Sequence, residues 1–273
     1  MSVIILAATP IGNLGDASVR LREVLSAATV IASEDTRTTS KLLAALGIEN
    51  RPQLIALHDH NESAKAAEVI ALAREADVVV MSDAGMPTVS DPGYHLVTAA
   101  IAAGVQVSAL PGPSAVITAL AVAGLPTDRF TFEGFLPRKS GERRSVLREL
   151  NRESRTMVFF ESPNRLAESL ADAALELGGD RPAAVCRELT KFYEEVKRGG
   201  LYELAGWAAG GVKGEIVLVV GGASAATVTL DDGLAQVQVL VADGVRLKEA
   251  TTQVAEQTGL SKRDLYQAAL SAK

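Results

Sequence analysis

From Val3 to Leu110 the chain repeats one pattern: a short aliphatic run, a polar turn, then apolar residues three and four positions apart. The runs Val3–Ala7, Val30–Ala32, Leu54–Leu57, Val78–Met81 and Val105–Leu110 predict five strands. They are continuously apolar rather than alternating, as strands buried on both faces of a parallel sheet are. Helical spacing predicts Ser18–Ala27, with Leu21, Val24 and Leu25 inward, then Arg37–Leu46 and Ala64–Arg74. The next helix, Tyr94–Ala103, is expected to bury Leu96, Val97 and Ile101. Strict alternation of strand and helix predicts an α/β domain with a parallel sheet and helices on both faces.

The helix Ser114–Ala123 bridges to a second region whose pattern differs. Arg129–Phe135 alternates, with aromatic residues expected on one face. Thr156–Phe160, Pro182–Arg187, Glu194–Gly199 and Glu215–Gly221 follow as strands, with a helix running to about Leu177. Few parallel crossovers are available, so this smaller sheet is expected to be mixed. Gly221–Ala226 is small and flexible in composition, a linker signal. Beyond it, Asp232–Asp243, Arg246–Gly259 and Ser261–Ala272 read as helices, the last two joined by a Thr258–Ser261 turn in a helix-turn-helix pattern. The expected domains are 1–113, 114–223 and a helical extension, 230–273.

Two loops stand out. Ser82–Gly93 is rich in Gly, Pro, Ser and Asp and follows the fourth strand; Pro111–Ser114 follows the fifth. Both lie at carboxyl ends of parallel strands, where open α/β sheets bind ligands, and two adjacent strand ends would aim them at one crevice. Asp91 or Ser90 is the expected cap of the helix after the first loop. That loop carries two carboxylates and no Lys or Arg, which suits a cationic or hydroxyl-bearing ligand and argues against a nucleoside triphosphate. The turn after the first strand, Thr9–Asp16, lacks the G-x-G-x-x-G spacing of dinucleotide sites.

Composition narrows the picture. A net charge of −6 disfavours non-specific nucleic-acid binding, but Pro137–Arg155 holds seven basic and three acidic residues, a local surplus. Arg138, Lys139, Arg143 and Arg144 gather where a helix begins, against its dipole, so phosphate contact is the functional reading and a solvated helix face the plainer one. Cys186 is the single cysteine, which excludes an internal disulfide and fits a buried small hydrophobe in a reducing cytoplasm. The opening Met1–Leu6 lacks a signal-peptide pattern. Leu96–Thr127 carries no charge, yet Pro111–Pro113 divides it, so no membrane helix is expected.

Taken together, Thr9–Leu14, Ser33–Arg37, Leu57–Glu62, Ser82–Gly93, Pro111–Ala115, Glu161–Arg165 and Arg187–Lys191 resemble one family. It is the bacterial ribosomal RNA small-subunit methyltransferase I family, of the tetrapyrrole-methylase-like class that uses S-adenosylmethionine. The resemblance runs from about Ser2 to Val220. It implies 2′-O-methylation of a cytidine ribose in 16S ribosomal RNA, a homodimer, and a cofactor clamped between two α/β domains. Cofactor contacts are then expected from Pro10 and Gly12, from Asp83, Ala84, Gly85, Met86 and Pro87, and from Ser114 and Ala115. Glu161 and Leu189 would supply the opposite side. RNA contacts are expected from Arg37, Arg165 and Lys191 besides Arg138, Lys139, Arg143 and Arg144.

Asp35, His58 and Glu62 are the general-base candidates by their strand-end placement, and the sequence does not rank them. Glu34 or Asp35 is expected to cap the following helix, as is Asn61 or Ser63 for the next. His58-Asp59-His60 has a metal-pair spacing without a convincing third ligand, and no metal is expected. Two rival readings stand beside this one. The same fold could methylate a tetrapyrrole carbon, or the chain could be a non-enzymatic regulator docking through its helix-turn-helix, which leaves both loops unexplained.

Overall fold

The computed structural model describes residues 2–58, 61–223 and 229–271. Its contacts form two compact units, Met1–Gly222 and Ala223–Lys273. In the larger unit, β1 (Val3–Ala7), β2 (Val30–Ser33), β3 (Gln53–Ala56), β4 (Val78–Met81) and β5 (Gln106–Leu110) make a wholly parallel sheet ordered β3-β2-β4-β1-β5. Alternation along each strand sends Val78 and Val80 to one face, and Val79 and Met81 to the other. The first face packs on α3 (Glu62–Leu72) and α4 (Tyr94–Ala102); the second packs on α1 (Val19–Ala27) and α2 (Thr36–Ala45). Ser18 caps α1 by accepting the Leu21 N–H at 3.0 Å.

β1 lies between β4 and β5, so these two are not neighbours, as the sequence reading had them. The correction brings a third loop, the one after β1, into the same row of strand ends.

A second correction concerns α4. Neither Ser90 nor Asp91 caps it: Gly93 occupies the cap position with φ 132°, and no cap side chain bonds there. Glu62 supplies the acceptor instead, its Oε1 taking the Leu96 N–H at 2.8 Å across 34 residues. Ile101 is exposed, and Leu96 and Ala100 form the buried stripe.

The second sheet is mixed, ordered β6-β7-β10-β8-β9, where β6 is Phe130–Phe135, β7 Thr156–Glu161, β8 Pro182–Arg187, β9 Glu195–Gly200 and β10 Ile216–Val220. Only β6 and β7 run parallel. One face, with Met157 and Phe159, packs on α6 (Ser140–Glu149), α7 (Leu166–Leu177) and α8 (Leu201–Ala208). The other, with Val158, Val217 and Val219, packs on α5 (Ala115–Ala123). Helix α8 is absent from the sequence reading, because Gly199-Gly200 before it and Gly206 within it weaken its helical signal. Cys186 is buried on the α5 face, and burial pushes its thiol up to about 11.

In the smaller unit, α9 (Leu230–Ala242), α10 (Leu247–Thr258) and α11 (Lys262–Ser271) pack around Val237, Ala250, Val254 and Leu265. Thr229 and Asp232 form a reciprocal capping box at the start of α9. Gly259 ends α10 in the left-handed conformation, which sets the turn into α11. Among the described residues no helix is long and apolar enough to cross a membrane.

Candidate active site

The loops after β4, β1 and β5 meet at the carboxyl edge of the first sheet. Thr9 and Gly85 exchange backbone hydrogen bonds of 2.9 and 3.1 Å, fastening the first loop to the second. Gly85 sits at φ 79°, which a side chain resists. Between this edge and the second sheet lies a cleft of about 430 Å³. Ala84, Gly85, Met86, Val89, Ser90 and Asp91 line it from the β4 loop, with Ile11 and Ser114–Val116 beside them. Phe135, Phe160–Pro163, Leu189 and Gly214–Val217 form the opposite wall.

Of the expected cofactor contacts, Ala84, Gly85, Met86, Ser114, Ala115, Glu161 and Leu189 therefore line the cleft, whereas Pro10, Gly12, Asp83 and Pro87 do not. Gly12 serves packing instead, since a Cβ there would fall 2.5 Å from the Lys191 Cγ. Glu161 reaches the cleft with its carboxylate already committed. Its Oε1 accepts from the Ser162 N–H at 2.7 Å and from Arg165, and its Oε2 accepts from the Ser169 hydroxyl at 2.6 Å.

Two contributors escaped the sequence reading. Alternation alone would turn Phe135 away from Phe132, but the ladder shifts register between Phe132 and Gly134, and this bulge brings both rings against Phe160, with centroids 5.5 and 4.9 Å away. Gly214–Val217 open the last strand; the Lys213-Gly214-Glu215 turn was the available signal. Every non-glycine residue with positive φ among the described residues, Thr88, Ser90, Glu188 and Thr190, lies in the two loops that face each other here. Backbone strain of that kind collects at functional sites because packing elsewhere must hold it.

The cleft's chemistry follows from its lining. It is mostly aliphatic and aromatic, with backbone groups of the loops, the carboxylates Asp91 and Glu215 at its edge, and no Lys or Arg. Such a surface repels phosphate and favours a cation.

Beside it, β2 and β4 are paired through Ser33 and Met81, so their following residues converge. Asp35 caps α2, its Oδ1 accepting the Arg37 N–H at 2.8 Å, and its Oδ2 pairs with the Arg37 guanidinium at 2.7 Å. These hydrogen bonds from Arg37 hold the Asp35 carboxyl down at about 2. Asp83 differs: partial burial, reinforced by the neighbouring Asp35 charge, pushes its pKa up. Glu34 accepts the Asp83 N–H at 3.4 Å.

The other two base candidates stand apart from the cleft. Glu62 is buried under α4, committed to the Leu96 N–H. His58 is exposed after the edge strand β3, and Asn61 takes its N–H at 2.9 Å rather than capping α3. Asp59 and His60 lie outside the described residues.

The expected RNA contacts divide in the same way. Arg143 contradicts its assignment: its side chain is 1% exposed and is held by Asp172 at 2.7 Å, with the Pro137 and Arg138 carbonyls accepting from it as well. Arg144 and Arg148 share Glu176, so a carboxylate on α7 answers two cations of α6. Arg165 is tied to Glu161 and the Leu136 carbonyl, and Lys191 bridges Glu188 and Glu215 at 3.0 and 3.1 Å. Arg138 and Lys139 remain exposed at the mouth of the β6–α6 loop, and Arg37 is 85% exposed beyond its pair with Asp35.

Residues 3–205 match the family model described as tetrapyrrole (corrin/porphyrin) methylases, the class that the two sheets and the cleft between them define. Residues 228–273 match the RsmI C-terminal HTH domain. A Mycobacterium tuberculosis (strain CDC 1551 / Oshkosh) ribosomal RNA small subunit methyltransferase I is 53% identical over 99% of this chain and 95% of its own. The Escherichia coli O157:H7 protein of that name is 46% identical over 96% of this chain and 92% of its own. Among solved structures, Thermus thermophilus uroporphyrin-III C-methyltransferase complexed with S-adenyl homocysteine has the same fold, with a TM-score of 0.56 at 21% identity, covering 81% of this chain and 97% of that one. The chain belongs to the ribosomal RNA small subunit methyltransferase I family of the tetrapyrrole methylases.

Proposed function

We propose that this protein transfers a methyl group from S-adenosylmethionine to the ribose 2′-hydroxyl of a cytidine in 16S ribosomal RNA of the small subunit. The observation that carries the reading is the cleft itself: about 430 Å³, apolar and backbone-lined, with carboxylates but no cation in its wall. That size lies within the range of small-molecule sites. The wall suits a molecule with an adenosine body, a positively charged sulfur and an ammonium group. Its relatives' names favour RNA over a tetrapyrrole as acceptor and an enzyme over a non-enzymatic regulator.

When bound, S-adenosylmethionine supplies a methyl made electrophilic by its sulfonium. The chain's residues do the remainder. Met86, Phe160 and Ile216 exclude water from the cleft, Gly85, having no side chain, lets a ligand come close to the loop backbone, and the absence of Lys and Arg from the wall leaves a positive charge unopposed. Alignment of this kind supplies much of a transfer rate.

A ribose hydroxyl must also give up a proton, and an ordinary carboxylate is a weak base for it. Asp83, an exposed residue whose carboxyl is raised by partial desolvation and which adjoins Ala84 and Gly85 of the lining, is the base we infer. Asp35, held low by Arg37, orients that neighbourhood instead. Arg37, Arg138 and Lys139 are the cations exposed for phosphate contact.

We infer a homodimer as well. The stretch 96–127 carries no charge, yet Ile101 and Ile117 are exposed and β5 is an unpaired edge strand. A two-fold contact sets a surface against itself, which uncharged segments tolerate in an acidic molecule.

Calorimetry with S-adenosylmethionine, followed by label transfer to small ribosomal subunits that lack the modification, tests the activity. Binding and transfer to a cytidine ribose are expected; no binding at millimolar cofactor would overturn it.

A further inference from the structure

A second cleft of about 440 Å³ adjoins the first and shares Gly214 with it. Tyr193 and Trp207 contribute aromatic walls, Arg187 and Lys213 contribute cations, and Glu188 and Glu195 contribute carboxylates. The carboxylates are occupied: Glu195 pairs with Arg187 at 2.6 Å, and Glu188 takes the Glu215 N–H at 2.9 Å and the Lys191 ammonium at 3.0 Å. Between the two clefts runs the turn Leu189–Glu194. Leu189 is buried and lines the first cleft, while three residues on Phe192 is 93% exposed and Tyr193 69%. Leaving two large rings in water costs hydrophobic free energy that burial elsewhere would recover.

The turn is built to keep them there. Thr190, a β-branched residue, is held at φ 66°, Glu188 stands at φ 50°, and the Glu194 carboxylate accepts the Thr190 N–H at 2.6 Å. Lys191 locks the turn to Glu215 on the other side and packs its stem on Gly12. Phe192 and Tyr193 meet edge to face, with centroids 5.0 Å apart and planes at 90°, so the two exposed rings form one aromatic pair at the surface.

We propose that this turn and the second cleft form a stacking subsite for a base of the acceptor RNA next to the methylated nucleotide. The inference rests on the RNA reading above, and it adds the residues that position the strand. Aromatic side chains take any base by its π-face, and Lys213, exposed at the same rim, lies where a neighbouring phosphate can reach it. The subsite explains how an acidic protein holds RNA beside a cation-free cofactor cleft: the strand is gripped by rings.

Trp207 is the chain's one tryptophan, so its emission reports on this cleft alone. Titrating the full-length protein with a short oligocytidylate should change Trp207 fluorescence. The double variant Phe192→Ala/Tyr193→Ala should weaken that binding about tenfold and raise KM for small ribosomal subunits by a similar factor, with affinity for S-adenosylmethionine retained. Phe192→Tyr should restore binding to the Tyr193→Ala background no further than that single variant, and Tyr193→Phe should bind like the wild type.

Unchanged oligonucleotide affinity in the double variant overturns the subsite. A shift from dimer to monomer on sedimentation of the double variant also overturns it, since the rings would then be a contact between copies. Wild-type protein that binds the oligonucleotide through Trp207 but transfers no methyl group would sink the catalytic reading and leave the subsite standing.

Discussion

Asp35 and Asp83 share one strand-end neighbourhood and differ in what surrounds each carboxylate. Hydrogen bonds from Arg37 favour the charged form of Asp35, and partial desolvation disfavours that of Asp83. Replacing Asp83 by Asn should therefore lower kcat by about a hundredfold or more while calorimetry shows cofactor affinity within a factor of a few. An unaltered kcat would remove Asp83 as the base.

Asp35 makes a prediction of opposite kind. Its folded-state pKa, about 2, lies below the ordinary 3.8 of an aspartate, so its ion pair contributes stability that is present above 3.8 and is lost as pH falls through about 2. Asp35→Asn keeps a capping oxygen but not the charge. The Tm gap between wild type and variant should be open at neutral pH and closed near pH 2; a gap that persists in acid would mean that the charge is not what matters.

Elements are held in place by polar contacts between segments far apart in the chain. Glu62 is the clearest case, because a residue at the start of α3 supplies the acceptor that α4 lacks at its own N-terminus. Removing it strands a buried N–H, a cost of about 1–3 kcal/mol. Glu62→Ala should lower the denaturation midpoint accordingly, with methyl transfer per folded molecule unaffected. Loss of turnover at full stability would return Glu62 to the catalytic list.

Arg143 and Asp172 tie α6 to α7 in a dry pair. Asp172→Ala leaves the buried guanidinium with only the exposed Glu168, 3.8 Å away, as counter-ion and should cost about 3–5 kcal/mol, measurable by urea unfolding. An exposed, RNA-contacting Arg143 would show almost no such loss.

On the scale of the whole molecule, every residue that lines the first cleft belongs to the unit Met1–Gly222. A chain ending at Gly222 is then expected to bind S-adenosylmethionine with affinity within about twofold of the full protein, checked by calorimetry. A large loss would show that residues beyond 222 shape the cleft.

The fold was largely legible at this scale. The five aliphatic runs became the parallel sheet because a strand buried on both faces must be apolar throughout, and Gly85 and Ser114 reached the cleft because strand-end loops are where such sheets leave room. Less was legible where partners come from elsewhere in the chain. Nothing local distinguishes Arg143 from Arg138, since burial of the first depends on a carboxylate 29 residues away. Likewise β1 entering between β4 and β5 is a matter of strand order, to which local periodicity is blind.

The sequence by itself determined every strand and all the helices but α8, the two sheet types, the helical extension and the acidic, cation-poor character of the β4 loop, because periodicity, turn residues and charge act over a few neighbouring positions. Tertiary structure decided which charges are spent and which remain. Arg165 and Glu161 neutralise each other, Lys191 secures a turn, and Asp83 is raised where Asp35 is lowered, because desolvation and pairing depend on the distances that folding creates.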